Sequence, residues 1–322
     1  LAELSEDDRK RISVRFDDDQ FDAKRTVASY RKMNGEKPLD AFVVAGSPTA
    51  LAAAPLTEGD GVPLVTIGAS DPAIVAGRER TFIHWIDPVV EAQAIVDELE
   101  KRNAKKIAFV TWQSPGFVAV TDAIISEIKN RGLQARILED VRLVEQEDGQ
   151  RSLVTRLRNK GIDTLVPLLA PTATVSLFKV MSDQKYKPQV LSAEIFDDQA
   201  LVDSSQGKFD GVWFVTASAA DPSFAQRFLK ATGAAPGWAA CNAYDVIQLI
   251  IAAVKQESSL KQQPREAIKH YLQTLTNYRG ACGEYSASGR NTFTLQVSPR
   301  VIRDGKIVPV QDTDRLSVQP RG

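Results

Sequence analysis

Short β-branched apolar runs alternate along the chain with longer stretches whose apolar residues recur at helical spacing. Residues 12–16 read as a strand and 22–33 as a helix. Strands follow at 41–45, 63–67 and 81–83, with helices at 48–58 and 89–102. In the last of these, Ile95, Val96 and Leu99 fall on one helical face. The pattern then restarts: strand 107–111, helix 116–131 stopped by Gly132, strand 135–141, helix 151–159 and strand 164–169. A helix at 172–184 and strands at 189–192 and 211–216 complete the series. Such alternation predicts an α/β protein with parallel sheets covered by helices on both faces.

Beyond residue 220 the order changes. Helices are expected at 222–231, 242–256 and 264–276, then strands at 292–297, 301–303 and 306–310. Asp304-Gly305 between the last two is a hairpin signal. The polar tail from Gln311 to Gly322 is expected to be loose.

A chain of 322 residues, 43% of them hydrophobic, can build about two cored domains. Forty basic residues against forty-one acidic ones leave a net charge of −1, without the basic footprint of a nucleic-acid binder. No apolar run reaches the ~20 residues of a membrane helix. No leader-like segment is seen, which does not place the chain in the cytoplasm. The two cysteines, Cys241 and Cys282, read equally as buried thiols or as one disulfide, and a disulfide would fit an oxidising compartment. With His84 and His270 far apart in sequence, no metal-ligand spacing emerges, and neither metal nor cofactor is expected.

Chemistry concentrates at the carboxyl ends of the predicted strands, where open parallel sheets bind ligands. Four of these ends share one design: Gly46-Ser47-Pro48, Gly68-Ala69-Ser70-Asp71-Pro72, Ser114-Pro115-Gly116 and Ala170-Pro171-Thr172. A small or capping residue precedes a proline suited to the first helical turn, where free N–H groups attract anions. Singly, each is ordinary helix capping; their recurrence in both halves points to two rims facing a cleft. Glu194 follows the strand at 189–192 and reads either as a partner for a ligand ammonium or as a solvated acid beside Asp197 and Asp198.

Catalytic patterns are missing: there is no nucleophile elbow, no phosphate loop and no dinucleotide fingerprint after a strand. Asp17-Asp18-Asp19 reads better as a solvated turn and helix cap than as a metal cluster, and His84 beside Trp85 better as packing than as catalysis.

Several segments, in order, resemble the type I periplasmic binding proteins, in the branch that binds branched-chain amino acids (Leu/Ile/Val) for ABC transporters. They are Ile12-Ser-Val-Arg-Phe-Asp-Asp-Asp, Val43-Val-Ala-Gly-Ser47, Val62-Pro-Leu-Val-Thr-Ile-Gly-Ala-Ser70, Lys106-Ile-Ala-Phe-Val, Ala243-Tyr-Asp-Val246 and Gly280-Ala-Cys-Gly-Glu-Tyr-Ser. The similarity runs from about Ile12 to Val310. It implies two doubly wound parallel-sheet lobes joined by three crossovers, with 1–86 and 217–283 in the first lobe and 87–216 and 284–322 in the second. It also implies a monomeric, non-enzymatic receptor, periplasmic or lipid-anchored outside the cytoplasm, that delivers a small carboxylate or amino acid to an ABC transporter permease. Carried over by position, Ser47, Ala69, Ser70 and Ser114 would line the ligand's carboxylate side, and Glu194 would hold its ammonium. Two aromatic positions of the family are absent: the loops here read Trp112-Gln-Ser-Pro-Gly and Ala170-Pro171, which leaves room for other carboxylates. Leu1-Ala-Glu-Leu4 resembles the end of the family's first helix, so that helix's greater part and the strand before it are expected to be missing. A sensory binding module on the same fold is the main alternative, and an enzyme the weaker one.

Overall fold

The computed structural model of the chain describes residues 5–6, 12–144, 149–217, 221–260 and 263–311. Two sheets organise it. The first is three-stranded and parallel, in the order β1 (Phe42–Ala45), β2 (Leu64–Ile67), β3 (Thr81–Ile83). Helix α1 (Ala23–Glu36) leads into β1, and α2 (Ser47–Gly59) connects β1 to β2. Asp22 starts α1 by accepting the Arg25 N–H. β2 and β3 are buried at every position. This burial explains why both strands are largely apolar, with a buried threonine in each, Thr66 and Thr81, rather than alternating with exposed polar residues.

The second sheet has seven strands in the order β12-β11-β8-β7-β6-β4-β5. β4 (Ile107–Trp112), β5 (Ile137–Leu143), β6 (Thr164–Leu168), β7 (Gln189–Ser192) and β8 (Trp213–Ala217) are parallel. β11 (Val297–Arg303) and β12 (Lys306–Pro309) close one edge as an antiparallel hairpin. Asp304 and Gly305 both have positive φ, 49° and 70°, as a two-residue hairpin turn requires.

Helices cover both faces of this sheet. α3 (Pro88–Lys101) and α4 (Pro115–Asn130) share one apolar cluster with Phe109, Val166, Leu191 and Trp213. α5 (Gln150–Asn159), α6 (Pro171–Asp183) and α7 (Gln199–Ser204) belong to the other, around Leu165, Phe196 and Phe209.

The last helices, α8 (Pro222–Thr232), α9 (Ala240–Leu260) and α10 (Pro264–Gln273), return to the first sheet and bury Phe224, Leu249 and Ile268 with Val65 and Phe82. A small antiparallel pair, β9 (Tyr278–Gly280) and β10 (Gly283–Tyr285), follows. Its turn carries Cys282, which forms a disulfide with Cys241 of α9 across a Cα separation of 5.2 Å. Of the two readings the sequence left open for the cysteines, the structure takes the disulfide.

The chain thus passes between the sheets at 84–87, between Ala217 and Asp221, and just before Val297. Tyr285, Phe293 and Leu295 pack in the first lobe's core, so the last passage comes later than the expected division at 283/284. Val297 pairs with Ala217, which brings two of the connections side by side.

Three local expectations change. Residues 12–16 join no strand among the described residues, because no ladder partner lies beside them. The strand expected at 292–297 is reduced to single bridges, Thr292 to Ile83 and Phe293 to Ala287, and regular pairing begins only at Val297. The pair β9–β10 and the short α7 were not anticipated. The expectations on Leu1–Leu4 and on the tail after Gln311 lie outside the described residues.

Candidate functional site

β4, β6, β7 and β8 run in one direction, so their carboxyl ends share one edge of the second sheet. Ser114 follows β4, Ala170 follows β6 and Glu194 follows β7. Two strand intervals, about 10 Å, separate the first of these ends from the last, the span of a small polar molecule. In the first lobe, Ser47 begins α2 directly after β1, and Ala69 and Ser70 follow β2.

The two rims meet at Gly116. A Cβ placed there would stand 2.8 Å from Ser47 Oγ and 3.9 Å from the Ser70 amide nitrogen. The first turn of α4 therefore lies directly on both loops of the other lobe. Ser47 Oγ ties these loops together by accepting the N–H groups of Ser70 at 3.1 Å and Asp71 at 3.3 Å. With both acceptor positions used, its own O–H remains to donate, and no acceptor takes it among the described residues.

Three helix starts on these rims carry no side-chain cap, as do α5 and α10 elsewhere in the chain. α2, α4 and α6 begin without a side-chain cap, with Gly46, Ser114 and Ala170 at the cap position. α1, α3, α7 and α8 are each capped by an aspartate: Asp22, Asp87, Asp198 and Asp221. Uncapped first-turn N–H groups are open to an anionic ligand group.

Aromatic rings wall the first-lobe rim. Gly68, at φ +58°, is overlain by the Trp238 ring, which leaves no room for a Cβ. Trp238 also lies 5.5 Å from Trp85 and 6.4 Å from Phe21, ring centre to ring centre. On the opposite rim Trp112 and Phe117 pack at 5.9 Å.

Glu194 is 9% exposed and meets a second acid, Glu91, which lies in the first turn of α3 and is entirely buried. The two carboxyls interact directly, and burial pushes the Glu91 carboxyl well above the usual carboxylate range, with Glu194 and then Asp87 adding to the effect. Among the described residues, no N–H or O–H donor reaches either oxygen of Glu91 or Oε2 of Glu194.

Elsewhere, Asp17, Asp18 and Asp19 accept from Ser29 Oγ and from the Gln20 and Phe21 amides, which is turn and helix-start chemistry. No group of three or more metal-ligating side chains occurs among the described residues. A cavity of about 390 Å³ lies between residues 12–19, β1 and α9, lined by Ile12, Val14, Val43, Ile247, Ile250 and Val254 among others. It runs beside the edge of β1 that has no strand partner among the described residues. None of Ser47, Ala69, Ser70, Ser114 and Glu194 lines it.

Ser47 and Ser70 therefore meet across one seam with the helix turn that Ser114 begins; Ala69 lies buried between the loop ends, and Glu194 stands on the same strand-end row with Glu91. Trp238 and Glu91 were not singled out from sequence, and Gly116 only as the end of the Ser114-Pro115-Gly116 loop. A glycine at the seam is visible only once the lobes are docked. Trp238 sits in an irregular stretch before α9, and a glutamate in a first helical turn is ordinary capping composition.

Against known proteins, the family profile described as periplasmic binding protein matches residues 7–307. Curated protein sequences give no significant match. Among solved structures, a leucine-binding protein from Thermotoga maritima superposes with a TM-score of 0.81 at 19% identity, covering 91% of this chain and 85% of that one. A branched-chain amino acid transporter substrate-binding protein from Streptococcus pneumoniae, in complex with isoleucine, gives 0.80 at 17% identity, with coverage of 92% and 85%. An ABC-transporter solute-binding protein from Rhodopseudomonas palustris, in complex with 3,4-dihydroxybenzoic acid, gives 0.79 at 20% identity, with coverage of 92% and 84%.

Proposed function

The chain belongs to the periplasmic binding protein family, and from that premise we propose that it captures an amino acid or related small carboxylate between its lobes for an ABC transporter. The observation that carries this reading is the seam at Gly116, where the α4 start of one lobe rests on Ser47 and Ser70 of the other. The ligand's carboxylate would take the free hydroxyl of Ser47, the Ser70 hydroxyl and the uncapped N–H groups of α2 and α4, with Ala69 small enough to let it approach the backbone. Ser114, at the start of α4, borders the same space. Glu194 would face the ligand's other end and pair with an ammonium. Trp238 and Trp112 offer apolar surface for the remainder.

The solved relatives hold isoleucine and 3,4-dihydroxybenzoate, both carboxylates, and only the first carries an ammonium. Glu194 favours the amino-acid side of that choice. The chain would work as a monomer, outside the cytoplasm, with a membrane permease recognising its closed form. The Cys241–Cys282 disulfide suits that setting. Among the described residues no helix is long and apolar enough to cross a membrane. No turnover is expected, since the seam presents donors and one acid pair but no nucleophile with its base.

A thermal-shift screen against amino acids and small aliphatic and aromatic carboxylates tests this. A compound at about 100 times its Kd adds about 2.7 kcal/mol, enough to raise Tm by a few degrees. The expected hit is an amino acid whose shift disappears in Ser70→Ala combined with Glu194→Gln. A hit unchanged in that double variant would move the site elsewhere.

A further inference from the structure

Glu91 and Glu194 present an unbalanced account of donors. Glu91 is completely buried and Glu194 nearly so. Three of their four carboxyl oxygens are buried and receive no hydrogen bond among the described residues. The groups acting on Glu91 are other acids, Glu194 first and Asp87 after it, with no basic side chain among the described residues to offset them. Asp87 is occupied elsewhere, accepting the Val89 amide at 2.9 Å and pairing with Arg290 at 3.3 Å. Two facing carboxylates without a donor or a cation between them are unstable, because each lacks both solvation and a counter-charge. The shortage is met if one acid keeps its proton and donates it to the other. Glu91, the deeper of the two, is the natural holder, since the charged form is costlier there.

We propose that Glu91 is a positioning residue of the ligand site: as a carboxylic acid it donates a hydrogen bond to Glu194 and leaves that residue as a single oriented negative acceptor for a cationic group of the ligand. This rests on the reading of Glu194 as a ligand residue. Its consequence is selectivity by charge. The pair carries one negative charge in total, so it suits ligands with one ammonium and disfavours amine-free carboxylates. Glu91 itself, having no exposure, does not touch the ligand.

The test joins a ligand-free and a ligand-bound measurement on the whole chain. In infrared difference spectra of wild type against Glu91→Gln at pH 7, wild type should show one protonated-carboxyl C=O band that the variant lacks. Binding is then followed by calorimetry with the tightest amino acid from a panel of the twenty standard ones, and with benzoate as the amine-free probe. Glu91→Gln, whose amide still donates to Glu194, should bind the amino acid within about threefold of wild type, whereas Glu91→Leu should bind at least tenfold more weakly. Absence of the infrared band, or a folded Glu91→Leu that binds as wild type does, overturns the role of Glu91 while leaving Glu194 standing. A band that is present while Glu194→Gln binds the amino acid unchanged means that Glu194 is not the ligand acid, and the inference falls with that reading. Binding of benzoate alone, or of no probe, overturns the selectivity by charge. If Glu91→Leu does not fold, the infrared band and the Glu91→Gln affinity still decide.

Discussion

His84 is fully buried, with Nδ1 3.2 Å from Asn242 Nδ2 and no partner for Nε2 among the described residues. Burial holds its imidazole down at about 3. The unfolded chain takes up that proton near pH 6.5, so the stability due to the neutral ring is complete above pH 6.5 and is lost as pH falls towards 3. The loss approaches about 1.4 kcal/mol per pH unit. Urea unfolding between pH 7 and 4 should show a steeper decline for wild type than for His84→Gln, by up to one proton; parallel curves would mean that His84 titrates normally. Glu91 acts in the opposite sense. Its folded-state pKa is raised by burial and by Glu194, so its contribution is complete below about 4.5 and is lost as pH rises. Glu91→Gln should therefore be more stable than wild type at pH 7, with the gap closing by pH 4. Residue types singled out Ser47, Ser70 and Glu194 in the sequence as strand-end residues, and the structure sets all three after strand ends. The burial of Glu91 was not legible, because it depends on which helix covers which strand end.

Among the elements, the link between α9 and the β9–β10 pair shows how a short motif acquires its meaning. Asp245 of α9 accepts the Ala281 N–H at 2.6 Å, the Cys282 N–H at 2.9 Å and the Tyr285 hydroxyl at 3.0 Å. Burial pushes its carboxyl upward, with these hydrogen bonds opposing. Gly280 lies so close that an added Cβ would overlap the Asp245 carboxylate. Gly280→Ala must displace a buried, triply bonded acid, and should cost about 2–3 kcal/mol in chemical denaturation. The disulfide beside it closes a loop over a separation of 41 residues. In the chain-entropy treatment such a closure is worth about 4 kcal/mol, and reduction with dithiothreitol should lower stability by an amount of that order. An unchanged midpoint after full reduction would show that Asp245 alone holds the hairpin. Regular elements with continuous apolar faces, such as β2 and α3, were legible to within a residue or two. Residues 12–16 and 292–297 were not, because a strand is defined by its neighbour, and apolar alternation reports burial without supplying the ladder.

For the whole molecule, the seam at Gly116 sets how far the lobes approach. The sequence showed two strand–helix series and a change of order after residue 220, but not that one glycine of the second series would rest on a serine of the first. The side chains of Ser47 and Ser70 are nearly fully buried, which places them inside the contact rather than on an open rim. A large side chain at position 116 has no free volume to enter, since even a Cβ would sit 2.8 Å from Ser47 Oγ. It can be accommodated by rotating the lobes apart about the connections at 84–87, between Ala217 and Asp221, and at 297. Gly116→Trp should therefore fold with near-wild-type stability yet stay open, with a larger radius of gyration by small-angle scattering. Affinity for any captured ligand should fall at least tenfold, since a closure penalty of about 1.4 kcal/mol already suffices for that. Equal scattering radii with lost stability would mean that the lobes form one rigid unit. Equal radii with unchanged affinity would mean that the ligand binds away from this seam.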